Sequence, residues 1–148
     1  MKKTKNIDAR VRALMQHLEI KDADEVIVSK YDEQVLEAEG NEYYVLTDDE
    51  ADKVAADYIN DSVWAFNSSF IIEHSKALDF DDASEKVVKA IAEQCENGNE
   101  AMKKLIDNME EFIEDAISAD GRGHFISGYD GNEEVEQVGE EDYYIYRR

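Results

Sequence analysis

The sequence predicts an α+β fold: a small, mainly antiparallel sheet of about four strands packed with four or five helices, in a single domain. Three observations carry that expectation. Apolar residues recur at helical spacing near the start of the chain and again through most of 48–118. Runs rich in β-branched and aromatic residues lie towards both ends, and turn residues punctuate these segments although the chain contains no proline. At 148 residues and 43% hydrophobic content there is material for a core, even with 36% charged residues.

Each element has its own signal. Ile7, Val11, Leu14, Met15 and Leu18 share one helical face with Asp8 near its start, so residues 1–21 are expected to form a basic N-terminal helical segment. Residues 25–31 and 42–47 read as strands and 34–38 as a further candidate, with Gly40-Asn41 as the turn. Thr47-Asp48-Asp49-Glu50 fits a capping box, in which the threonine oxygen accepts from an orphan amide while the glutamate reaches back. The helix it opens is expected to bury Ala51, Val54, Ala55, Tyr58, Ser62 and Phe66, and to turn Asp49, Glu50 and Asp57 outward.

Asn67-Ser68-Ser69 interrupts this pattern, and Phe70-Ile71-Ile72 is expected to pack. Asp82-Ala83-Ser84-Glu85 offers a second capping box for a helix that buries Val87, Val88, Ile91 and Ala92 and runs to about Glu96. Met102, Leu105, Ile106, Met109, Phe112, Ile113, Ala116 and Ile117 then form the longest clean stripe, read as one helix over 99–118 ended by Gly121 and Gly123. The tail reads as a hairpin of strands at 124–129 and 143–146 joined by a long Glu-rich loop. Trp64, Phe66 and Phe70 could stack on a base, but fit the core better.

Charge is the strongest signal towards function. The chain carries 37 acidic against 16 basic residues, a formal −21 at pH 7. Residues 1–21 hold six basic and two acidic groups, 22–61 hold two and fourteen, and 106–148 hold three and thirteen. A negative chain repels phosphates, so direct nucleic-acid binding is disfavoured and a partner with a basic groove is the complement. Within the expected 99–118 helix, Asp107, Glu110, Glu111, Glu114 and Asp115 share the face opposite the apolar stripe. At 1.5 Å per residue they would span roughly 12 Å, about one charge per 2.4 Å, against about one per 1.7 Å of duplex DNA axis. Such a stripe is also what the ordinary wet side of a helix looks like, but like charges at i,i+4 are mildly self-destabilising unless a cationic partner compensates.

Chemical motifs are sparse. No apolar run approaches the roughly 18 residues of a membrane span, and Lys2, Lys3 and Lys5 lead into an amphipathic stretch instead of an apolar signal core. A lone Cys95 excludes an internal disulfide, and His17, His74 and His124 are not at metal spacing, so neither a metal nor a cofactor is expected. No Walker loop, dinucleotide fingerprint or nucleophile elbow occurs. Asp120-Gly121-Arg122-Gly123-His124 could build a small ligand or catalytic site if one cavity joined Arg122, His124, Tyr129 and Asp130, but a helix cap and an internal ion pair explain it better. Asp130-Gly131-Asn132-Glu133-Glu134 has only a fragment of a calcium loop.

Tyr44-Val-Leu-Thr-Asp-Asp-Glu-Ala-Asp52, Asp61-Ser-Val-Trp-Ala-Phe-Asn67, Asp120-Gly-Arg-Gly-His-Phe-Ile-Ser-Gly-Tyr-Asp-Gly131 and Tyr143-Tyr-Ile-Tyr-Arg147 together resemble a group of small acidic uncharacterised proteins of tailed bacteriophages. The basic N-terminal segment has no counterpart in that likeness. What the resemblance implies is context, without any catalytic residue: an accessory product in the cytoplasm of an infected bacterium, where inhibitors of host defence and DNA mimics are common. The expectation is therefore a non-enzymatic binding protein that imitates DNA phosphates, occupies the basic groove of a host nucleic-acid-binding protein and blocks it. The expected contact residues are Asp49, Glu50, Asp57, Asp107, Glu110, Glu111, Glu114, Asp115, Glu133, Glu134 and Glu136. The alternatives are a small ligand-binding protein or enzyme centred on the His124 region, and a phage accessory protein without mimicry; a homodimer is compatible with each.

Overall fold

The computed structural model describes residues 8–148, so Lys2, Lys3, Lys5 and Ile7 of the expected basic segment lie outside the described residues. The fold is α+β, as the sequence predicts, with one antiparallel sheet and, among the described residues, seven helices. Packing divides the chain into two compact units. One comprises Met1–Val54, as far as it is described, with Arg122–Arg148; the other is Ala55–Gly121.

The first unit holds the whole sheet. Its strands β1 (Ile27–Val28), β2 (Val35–Ala38), β3 (Asn41–Leu46), β4 (Glu134–Val138) and β5 (Glu141–Arg147) lie in the order β1-β2-β3-β5-β4. The candidate third strand thus becomes β2, a full partner of β3, with Leu36 opposite Tyr43. The first expected strand shrinks to two residues, because Ala23–Glu25 form a 3₁₀ turn capped by the Asp22 carboxylate. Glu39 and Gly40 both take left-handed φ, at +54° and +78°, the conformation a two-residue hairpin turn with the sheet's own twist requires. Helix α1 (Ala9–Leu18) packs its buried Val11, Ala13 and Leu14 with Leu36, Tyr43, Val45 and Ile145 into one core.

The tail differs from its sequence reading twice. Residues 122–126 form a short helix, α7 (Arg122–Ile126), where a strand was expected. Gly123 does not end a helix; it lies within α7 and is buried, and a Cβ there would come 2.3 Å from the Gly131 carbonyl oxygen, so glycine serves close approach. The presumed acidic loop is strand β4, paired with β5 through Glu136–Tyr143. Its charges and exposed Val135 suit an edge position.

Helix α2 (Asp48–Asp61) begins at the expected capping box, and the unit boundary falls within it. Its buried face runs Ala51, Ala55, Ile59, then Val63 in the following turn; Tyr58, expected inside, is 55% exposed. In the second unit, α3 (Ser68–Glu73) buries Ile71 and Ile72 as expected. Helix α4 (Asp82–Ala92) is capped by Asp81, one residue before the box the sequence suggested, and buries Val88 but exposes Val87. It stops short of Glu96; Cys95–Gly98 form a 3₁₀ turn in which Cys95 is exposed at φ +52°. Phe66, Phe70 and Phe112 pack ring against ring at 4.8–5.4 Å, the structural role expected of Phe66 and Phe70.

The largest correction concerns 99–118. Two helices occupy it, α5 (Asn99–Leu105) and α6 (Met109–Asp120). Ile106 turns extended, and Asn108 restarts the chain as an N-cap, accepting from the Glu111 amide at 3.2 Å. Gly121 ends α6 at φ +84°, as predicted. No helix among the described residues is long and apolar enough to cross a membrane.

Candidate functional site

The carboxylates fall into two chemical populations. In the first unit several are consumed by the protein's own cations. Glu50 closes the capping box, accepting from the Thr47 amide at 2.8 Å, and also takes a two-pronged guanidinium bond from Arg10 at 2.6 and 2.7 Å and an amide bond from Gln34 at 2.8 Å. The Arg10 hydrogen bonds, against a smaller opposing effect of burial, lower its pKa to about 2. Glu50 was expected to face outward towards a partner; instead it ties α1 to the start of α2.

Arg122 is the second internal cation. It reaches Asp48 at 2.8 Å, Asp52 at 3.0 Å and Glu133 at 2.8 Å, and its guanidinium stands 4.5 Å from the centre of the Tyr144 ring. Glu133 also accepts from the buried Tyr146 hydroxyl, whose pKa is raised by burial and then by that carboxylate. Glu133 is therefore an internal ligand of Arg122. Glu136 lies 3.9 Å from His17, while Glu134 is exposed on the edge strand. Asp48, Asp49 and Asp52 converge closely enough to hold a metal ion, but Arg122 already bridges two of the three.

The glycine-rich segment does not gather the groups an alternative site would need. Arg122 is committed as described, and His124 is exposed with its ring against Phe125. Tyr129 faces the Arg147 guanidinium at 3.6 Å. Asp130 accepts from the Asn132 amide at 2.9 Å and bonds the Ser127 hydroxyl at 3.0 Å. Each side chain has its own partner.

The second population is in the Ala55–Gly121 unit, which carries sixteen acidic and five basic residues. Helix α6 turns Phe112 and Ala116 inward and leaves Glu110, Glu111, Glu114 and Asp115 exposed on the other side. It contains no lysine or arginine, and among the described residues no ion pair engages Glu110, Glu111 or Glu114. Glu110 and Glu111 gain from the helix N-terminus, but Glu114 and Asp115 lie beyond the reach of its first turn and repel them at i,i+4. The four charges span about 7.5 Å of helix, roughly one per 2 Å.

Asp107 is not part of this helical face. It sits in the link between α5 and α6, where its carboxylate accepts from the Lys76 amide at 2.6 Å and its own amide donates to the His74 carbonyl at 3.0 Å. Asp49 is exposed on the first turn of α2, and Asp57 is exposed further along the same helix. Sequence reasoning missed Arg10 as a ligand of Glu50, and missed His74, whose Nε2 stands 3.1 Å from Asp115 Oδ2. Neither had a local signal, since the pairs are 40 and 41 residues apart. Comparison with protein-family models, curated proteins and solved structures finds no match.

Proposed function

We propose that the protein is a non-enzymatic binding protein whose α6 face imitates a row of phosphates, occupies a basic groove on a nucleic-acid-binding protein and blocks it. The observation that carries this reading is the exposed run Glu110, Glu111, Glu114 and Asp115 on a helix without a single basic residue. A charge spacing of roughly 2 Å is close to the about 1.7 Å of duplex DNA. Internal arginines pair with Asp48, Glu50, Asp52 and Glu133, whereas among the described residues Glu110, Glu111 and Glu114 have no ion-pair partner, which favours binding of an external cation. The phage likeness supports the setting, an anti-defence or takeover inhibitor in a bacterial cytoplasm.

Competitive occlusion has two signatures. Association is fast because opposite fields steer the encounter, and affinity falls with salt because exposed charges are screened within about 10 Å at 0.1 M. Immobilised protein should retain a basic nucleic-acid-binding protein from bacterial lysate at low salt and release it at high salt. Added duplex DNA should displace that protein. Retention that ignores both salt and DNA would refute the mimicry.

A further inference from the structure

Three of the residues expected on the stripe border a cleft. Asp107, Glu111 and Asp115, together with Glu73, wall a cleft of about 540 Å³ in the Ala55–Gly121 unit, with Lys76 at the same cleft. Its wall also includes His74 and Ser75. Both carry a buried polar atom with no hydrogen bond: the Ser75 hydroxyl, in a residue 5% exposed, and His74 Nε2, on a side chain 8% exposed. His74 Nε2 lies at ion-pair distance from Asp115, but without the alignment of a hydrogen bond. Leaving such atoms unsatisfied costs a fold stability unless a ligand uses them.

We propose that this cleft receives an arginine side chain of the partner, with the guanidinium held by Asp115 and Asp107 and by the orphaned hydroxyl oxygen of Ser75. The inference rests on the mimicry reading and names the chemistry its surface would recognise. The unfilled Ser75 oxygen can accept a hydrogen bond, and four carboxylates face one lysine, so the ligand is a cationic donor. The size of the cleft favours an organic cation over a bare ion. Among the described residues the trio of acidic groups that converges on a metal-sized point is Asp48, Asp49 and Asp52, not the carboxylates of this cleft. A planar guanidinium with five donors serves spread acceptors better than the point charge of an ammonium.

The test is an amide-shift titration of the isotopically labelled full chain with N-acetyl-L-arginine methylamide, its lysine counterpart and Zn²⁺ in parallel. Blocked arginine should give saturable shifts at 73–76 and 107–115, at about tenfold lower concentration than blocked lysine. D115N should weaken it about tenfold, the loss of one charge-assisted contact. S75A should weaken arginine binding yet raise the melting temperature, an opposition that a purely structural serine would not produce. K76Q should tighten it. Lysine or Zn²⁺ binding as well as arginine, or arginine shifts that are absent or indifferent to D115N, would overturn the assignment. Glu110 and Glu114 do not line the cleft. E110Q/E114Q should therefore reduce capture of a basic protein from lysate and leave blocked-arginine binding unchanged, which separates failure of the mimicry from failure of the cleft.

Discussion

Glu50 and Glu114 are the same side chain on the same kind of element, yet one is a structural residue and the other is spare. Glu50 accepts from Arg10, Gln34 and Thr47, with its ion pair only 26% exposed on the glutamate side. Glu114 sits exposed amid three like charges with no cation on its helix. What separates them is the supply of counter-charge. The Met1–Val54 and Arg122–Arg148 unit places guanidinium groups against its acids, and the Ala55–Gly121 unit contains no arginine at all. An acid answered by a cation within its own fold contributes stability; Glu114, beyond the first turn of its helix and without such a cation, is available for binding.

The contrast breaks most visibly at Glu50. E50A removes a two-pronged ion pair and leaves the half-buried Arg10 without its partner, so unfolding in urea should become easier by about 3 kcal/mol. R122A should follow at about 2 kcal/mol, since Asp48, Asp52 and Glu133 lose their shared cation, and R122K should rescue little because one ammonium cannot reach three acids as a planar fork does. Acid titration sharpens the same point. The Glu50 pKa is lowered to about 2 from an ordinary 4.5, so its contribution is fully present above the ordinary value and is lost as pH falls towards 2. Asp130, lowered by the Asn132 amide, acts in the same direction. Urea midpoints measured between pH 6 and pH 2.5 should fall less steeply in E50Q than in the wild type. At the small end, E110Q/E111Q/E114Q should change stability by no more than about 0.5 kcal/mol, because lost helix-end attraction and relieved repulsion nearly cancel. A large destabilisation there would mean that these glutamates are structural after all.

The elements legible in the sequence are those whose signal is local. Thr47 and Glu50 are three residues apart, and their capping box forms as read. Gly121 ends α6 because only a residue tolerant of φ +84° fits there. The 99–118 stripe misled because Ile106 continues the apolar period across the break. The competing signal was Asn108 with Glu111 three residues on, itself an N-cap pattern. Strand β4 hid because edge strands carry the charges that loops carry, and its pairing partner is set by the sheet. Helix α7 looked like a strand from its composition, and tertiary contact at Gly123 decided otherwise. In the site, the exposure of Glu110, Glu111, Glu114 and Asp115 was readable from helical spacing alone. The capture of Glu50 and Glu133 by arginines 40 and 11 residues away was not.

The most direct measurement compares two neutralised proteins in one pull-down from bacterial lysate at low salt. One carries E110Q/E111Q/E114Q/D115N, the other D48N/D49N/D52N. Neutralising α6 should abolish DNA-displaceable retention of a basic protein, whereas neutralising the start of α2, where Arg122 already answers two of the three acids, should leave most of it. Equal retention by the α6 variant and the wild type would contradict the account.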